Sequence, residues 1–369
     1  MKRKDFIKAG ALAGLGSAVA ATACTDSKSQ EVDAPNIITN KKYRWKIATT
    51  WPPNFPVVGE GCTRLTEWIK TMSNGRLEIK VYGGGELIPA LEVFEAVNAG
   101  MIEMGHGASY YWTGIEQALA FFTTIPFGMN AQQMNAWLDF GGGQQLWEEV
   151  YDRYNIIPFA AGNTGVQMGG WYNRKIESMD SWKGLKMRMP GLGGKIIEQA
   201  GATAVLSPGA ELYTNLERGV IDATEWIGPY HDYLMDFHKI TKYYYYPGWH
   251  ETGSVLECIV NKEKFLELPS DLQEIVRSAC YRSNQTMLAE FESKNNIYLK
   301  KILEEGQAEL VQFPAEVLDK LKEISLGLYE DMAANSAIIN QVYSSFKSFK
   351  KDIGEWSKLA EGPFYNVIM

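Results

Sequence analysis

Apolar and polar positions alternate in two periods along most of this chain. Trp45-Lys46-Ile47-Ala48-Thr49-Thr50 reads as a buried first strand that stops at Pro52-Pro53. From Val58 to Met72 the period becomes helical, with Leu65, Trp68 and Ile69 on one face, and Asn74-Gly75 closes the helix. Leu77 to Tyr82 then alternates as a strand should and meets the turn Gly83-Gly84-Gly85. Helix and strand go on alternating through Gly253, which predicts α/β architecture with largely parallel sheets. The character changes at Ser270-Asp271. A helical pattern rich in Lys, Glu, Gln and Asn runs toward Glu305, and Pro314 opens another. Long amphipathic helices in this C-terminal part, about 270–369, would strap two lobes together or pack against a second copy.

One stretch resembles another. Glu92 to Glu103 aligns without gaps on Glu211 to Asp222, 119 residues later, and each reads as a short helix, a capping glycine (Gly100, Gly219) and a strand. Two lobes of similar build would explain this, and so would coincidence between two ordinary helix–strand joints. Continuing the alignment sets Gly105-His106-Gly107 opposite Thr224-Glu225-Trp226. Ligands of open α/β sheets sit beyond the carboxyl ends of strands, so both segments should face a cleft.

Composition narrows the setting. Lys2, Arg3, Lys4 and Lys8 precede an apolar run from Ala9 to Ala23, the marks of an export signal over residues 1–23. Arg3-Lys4 is a twin-arginine pair with lysine in second place, so either export route stays open. Ala21-Thr22-Ala23-Cys24 has the form of a lipoprotein box with Cys24 as the lipidated residue, the alternative being plain cleavage after Ala23. Residues 24–42 are polar and fit a flexible tether. Without residues 1–23 the chain keeps 346 residues and its net charge moves from −8 to −11. That length favours two lobes, and the acidity argues against nucleic acid. Cys62, Cys258 and Cys280 remain; a Cys258–Cys280 bridge or buried free thiols are both compatible with the spacing.

The candidate chemistry lies between Gln167 and Glu251. Gln167, Arg188, Glu225-Trp226 and Glu251 fall at the ends of successive strand-like segments. Arginine is the natural bidentate partner of a carboxylate, and Gln and Glu oxygens suit a hard cation. Each has a plainer reading: a strand-end ion pair for Arg188, an internal salt bridge for Glu225, a solvated loop acid for Glu251, a backbone hydrogen bond for Gln167. Tyr110, Tyr111 and Trp112 are either a ligand wall or a packing stripe. No GK[ST] follows the glycine pairs, and the four histidines are scattered without an HExxH pattern. Nothing nearby offers a nucleophile with its own base. Glu225 and Glu251 acting as acid and base of a metal-assisted enzyme is the competing reading.

With these residues laid out, the chain resembles the solute-binding proteins of tripartite ATP-independent periplasmic (TRAP) transporters over roughly Tyr43 to Lys350. Within them it is most similar to the branch that binds 2-oxo acids such as pyruvate together with a cation. The similarity is carried by Gly83 to Leu87, Gly107 to Trp112, Gly162 to Trp171, Lys186 to Gly193 and Ala223 to Pro229. It implies a two-lobed periplasmic binding protein fold with the ligand cleft between lobes. Lobe I would comprise 43–165 with about 253–300, and lobe II 166–252 with about 301–345. It implies that Arg188 pairs with the substrate carboxylate, and that Gln167, Glu225, Glu251 and the backbone oxygen of Trp226 hold Na⁺, or alternatively Ca²⁺. Gln167, Trp226 and Glu251 would also meet the ligand, with Tyr110 and Tyr111 as its wall. The implied role is capture and delivery to a membrane permease, without catalysis. Lactate or a dicarboxylate are the alternative ligands. A homodimer is the implied assembly, and the lipoprotein-like signal would add a lipid anchor in the periplasm.

Overall fold

The computed structural model describes residues 41–369. The export signal, Cys24 and nearly all of the expected tether lie outside the described residues. Eleven strands occur among the described residues: β1 (Tyr43–Thr49), β2 (Leu77–Tyr82), β3 (Met104–Gly107), β4 (Ile156–Asn163), β5 (Gly170–Tyr172), β6 (Lys186–Arg188), β7 (Thr203–Val205), β8 (Ala223–Thr224), β9 (Tyr243–Tyr246), β10 (Val255–Asn261) and β11 (Glu309–Gln312). They form one sheet of order β2-β1-β3-β10-β4 and a second of order β11-β9-β5-β8-β6-β7, with helices packed around both. This is a mixed α/β, two-sheet architecture with long C-terminal helices.

The sheets are less parallel than the alternating pattern predicts. β1 runs parallel to β2 and β3, but β10 is antiparallel to both β3 and β4. In the second sheet β5 is antiparallel to β8 and β9. The reason is topological: the chain leaves the first sheet after β4 and returns through β10, so the returning strand enters reversed. Periodicity along the chain carries no information about that reversal. β10 is buried at all seven positions because its two faces serve different cores. Val255 and Ile259 join one cluster, and Cys258 and Val260 join another.

The two crossings, 164–169 and 247–254, lie side by side. Thr164 N donates to Ser254 O at 3.0 Å, Gln167 N to Glu251 O at 3.1 Å and Gly169 N to Tyr245 O at 2.7 Å. The segments touch so closely at Gly248 that any Cβ there would run into the carbonyl of Gln167.

The helix Ser270–Glu305 runs 36 residues and joins elements of both sheets. Glu290 on it pairs with Arg64 of the helix Val58–Met72 at 2.7 Å. Asn295 accepts from Tyr230 N at 3.2 Å, and Glu305 receives Tyr233 Oη at 2.8 Å. Cys62, Cys258 and Cys280 are buried free thiols. No described helix is long and apolar enough to cross a membrane.

The aligned stretches have matching backbones. Helices Val93–Asn98 and Leu212–Glu217 both end at a glycine with φ +68°. In each, the amide directly after the glycine returns to the helix, Met101 N to Ala96 O and Val220 N to Asn215 O, both at 2.9 Å. β3 and β8 follow directly.

Two carboxyl groups lie deep in these cores. Glu257 of β10 accepts from Trp112 Nε1 and Tyr151 Oη, both at 2.6 Å. Asp232 accepts from Tyr244 Oη at 2.6 Å and Trp171 Nε1 at 3.0 Å. Burial pushes both up to about 7, against the opposing pull of those hydrogen bonds. A raised carboxyl binds its proton more tightly folded than unfolded, so its contribution to stability is full at low pH and is lost as pH rises through 7. The shifts correspond to about 3 kcal/mol for Glu257 and about 4 kcal/mol for Asp232. Melting temperature should therefore fall between pH 5 and pH 8, and Glu257→Gln should flatten part of that fall. Calorimetry of both proteins across this range checks it; parallel pH profiles would contradict the assignment.

Candidate functional site

Each candidate side chain is carried at or just beyond a strand end. Arg188 is the last residue of β6, Glu225 and Trp226 directly follow β8, and Tyr110 and Tyr111 lie in the 3₁₀ turn after β3. Gln167 and Glu251 sit on the two crossing segments, where the backbone bonds between them fix their spacing. The structure thus brings Gln167, Arg188, Glu225, Trp226, Glu251, Tyr110 and Tyr111 to one place. Glu225 differs slightly from its expected placement, since the short strand β8 ends one residue before it.

Arg188 organises the group. Its guanidinium is 1% exposed; Nη1 donates to Glu225 Oε1, Nε to Ser207 O at 3.3 Å and Nη2 to Tyr111 Oη at 3.5 Å. The Trp226 ring lies 5.5 Å from its central carbon. Burial works against the charged form, but Glu225, Tyr111 and Tyr110 outweigh it and hold the pKa above its ordinary value. The arginine stays cationic. Gly209 lets the Trp226 ring close over this pair, because a Cβ at 209 would collide with it.

The carboxylates answer to burial as well. Burial raises Glu225 to about 7, with Arg188 pulling the other way. Glu251 also rises to about 7, through burial and then repulsion from Glu225. Glu251 Oε2 accepts from Gln167 Nε2 and Ser254 Oγ, each at 2.6 Å, and from Tyr110 Oη at 3.5 Å. Trp112 turns the other way, into the core, to reach Glu257. The aromatic triplet therefore divides, with two tyrosines at the site and one packing tryptophan.

Several polar atoms here are buried without a hydrogen-bond partner: Gln167 Oε1, Glu225 Oε2, Trp226 Nε1 and both ring nitrogens of His250. Leaving such groups unpaired costs roughly 1–3 kcal/mol each, so their concentration marks a place built for something further. One ligand atom each from Glu225, His250 and Glu251 lie within 4.8 Å of one another. Two carboxylates and an amide oxygen fit a hard cation, with the Arg188 guanidinium beside them for an organic acid. His250 did not stand out in the sequence. A search for paired metal-binding histidines passes over a single one, and its adjacency to Glu251 was the available signal.

The chain is similar over most of its length to known solute-binding proteins. The family model for DctP, bacterial extracellular solute-binding protein family 7, matches residues 47–336. A monocarboxylate 2-oxoacid-binding periplasmic protein of Nostoc sp. is 39% identical over 366 residues, covering 99% of this chain and 98% of that protein. A TRAP periplasmic solute-binding protein of Pseudoalteromonas atlantica, solved with bound sodium and pyruvate, is 40% identical with a TM-score of 0.87, covering 89% of this chain and 99% of that one. A TRAP solute-binding protein of Colwellia psychrerythraea, solved with calcium and pyruvate, is 40% identical with a TM-score of 0.86, covering 88% and 99%. On the breadth of these matches, the chain belongs to family 7 of the bacterial extracellular solute-binding proteins, the DctP family.

Proposed function

We propose that this chain captures a small 2-oxo monocarboxylate, pyruvate or a near homologue, together with a cation, and hands it to TRAP membrane permease subunits. The carrying observation is the pairing of a buried, charged Arg188 with unpartnered oxygens on Gln167 and Glu225. Arg188 takes the ligand carboxylate. Gln167, Glu225, Glu251 and the Trp226 carbonyl hold the cation, which also meets the ligand's second oxygen. Na⁺ is the first candidate and Ca²⁺ the second, the relatives above having been solved with one or the other. Tyr110 and Tyr111 wall the ligand, and their short reach to Glu251 and Arg188 favours a small acid over a long one. The cleft lies between a lobe of 43–165 with about 253–300 and a lobe of 166–252 with about 301–345.

The family binds solutes, so Glu225 and Glu251 serve as ligands rather than as acid and base. A cation held by both keeps both ionised. Attachment through a lipidated Cys24 rests on the sequence Ala21 to Cys24. A homodimer is supported by apolar side chains left open on the C-terminal helices, Tyr281 and Ile297 at 57% and 52% exposure and Trp356 at 63%. Light scattering that returns a monomer mass at micromolar concentration would remove the dimer.

Two experiments test the site. Arg188→Met removes one member of a buried charge pair, a loss of about 3–5 kcal/mol. Pyruvate binding by titration calorimetry should then vanish, while Glu225→Gln should weaken it through loss of the cation. The second experiment concerns coupling. Two carboxylates beside an anionic ligand repel it by about 4 kcal/mol per pair at 4 Å and an effective dielectric of 20. A cation reverses the sign, and each partner must tighten the other by the same factor. Pyruvate affinity in cation-stripped buffer should be weak and recover on adding Na⁺ or Ca²⁺. An unchanged affinity would sink the cation-bridged arrangement and leave the Arg188 contact standing.

A further inference from the structure

We propose that His250 supplies a nitrogen donor to the cation site, making the site selective for a borderline divalent transition ion such as Co²⁺ or Ni²⁺ over Ca²⁺. This inference rests on the cation-bridged reading above and adds a ligand and a metal class to it. His250 is 2% exposed and neither ring nitrogen has a hydrogen-bond partner. The other buried histidines each have at least one ring nitrogen engaged, although Nδ1 of His231 and of His238 is also without a partner. His106 Nδ1 receives Trp51 Nε1 at 2.8 Å, His231 Nε2 reaches Pro56 O at 2.8 Å, and His238 Nε2 reaches Glu305 at 2.8 Å. His250 Nε2 instead stands 3.5 Å from Glu225 Oε2, itself unpartnered.

The donor set has a recognisable chemistry. Within 4.8 Å it offers one imidazole nitrogen and two carboxylate oxygens, and Gln167 Oε1 is a further unpartnered oxygen on the same crossing pair. An all-oxygen set suits Na⁺, Ca²⁺ and Mg²⁺; one imidazole with carboxylates shifts preference along the first-row series, where affinity rises from Mn²⁺ toward Cu²⁺. The ring is held in place: Trp249 packs edge-on to it at 5.7 Å, and the neighbouring Glu251 is anchored by Ser254 and Gln167. A 2-oxo acid chelates such an ion through its carboxylate and keto oxygens, so the captured species would be a metal–acid complex.

Binding of Co²⁺, Mn²⁺ and Ca²⁺ to the purified protein, each with and without pyruvate, tests this in wild type, His250→Ala and His250→Gln. Titration calorimetry gives affinities, and the visible absorption of Co²⁺ reports nitrogen ligation directly. Thermal melts confirm that the variants fold, and His250→Gln keeps the side chain polar if the alanine variant does not. Wild type should bind Co²⁺ at least about tenfold more tightly than Ca²⁺. Either variant should lose at least about tenfold in Co²⁺ affinity, lose less than about threefold for Ca²⁺, and change the Co²⁺ spectrum. Equal losses for Co²⁺ and Ca²⁺, an unchanged spectrum, or Co²⁺ no tighter than Ca²⁺ would overturn the inference. Pyruvate binding with Na⁺ or Ca²⁺ in wild type would still uphold the broader reading in that case. Its absence with every cation would end both.

Discussion

A guanidinium that is 1% exposed can persist only beside a negative charge, and the architecture around Arg188 follows from that constraint. β6 ends at Arg188, opposite Thr224 of the parallel strand β8, so the register brings Glu225, the next residue, up beside it. Trp226 shuts water out, and Gly209 makes room for it to do so. The pair then sets the sign of the surrounding field. One carboxylate oxygen of Glu225 is engaged by arginine while the other faces His250 and Glu251 without a partner. Positive charge is therefore favoured on the open side of the Glu225 carboxylate.

Much of this arrangement could be read from the chain. β2 and the helix Val58–Met72 fall where the hydrophobic period put them, and β1 coincides to within two residues at each end. The repeated helix–glycine–strand unit is visible in sequence because each cap needs a left-handed residue, and φ +68° at Gly100 and Gly219 shows why both are glycine. Arg188 and Glu225 were conspicuous as charges set among apolar neighbours. What stayed hidden depends on pairing across long separations. The antiparallel entry of β10 follows from the chain's return between sheets. The burial of Asp232 and Glu257 follows from tryptophan and tyrosine donors far away in sequence. His250 was invisible because an orphaned ring nitrogen is a property of its surroundings, not of its neighbours in the chain.

The helix Ser270–Glu305 joins elements around both sheets by polar contacts at separate points, near Glu290 and again at Asn295 and Glu305. Its buried positions, from Leu272 through Val276, Ala279, Ser283 and Met287 to Phe291, recur at spacings of three and four along one face. Met287 fits the space left by Gly61 and Gly162, and three turns further along Tyr298 packs at a tilt against Tyr230 with ring centroids 4.5 Å apart. One helix therefore reports to both sheets, and its length follows from that span.

The contact of the two crossing segments at Gly248 has a mechanical consequence. Bonded side by side through two backbone hydrogen bonds, Thr164 N to Ser254 O and Gln167 N to Glu251 O, they form one two-stranded leaf, not two independent tethers. Gln167 and Glu251 are mounted on that leaf itself, one on each strand. Whatever bridges those two side chains also clamps the leaf across its width.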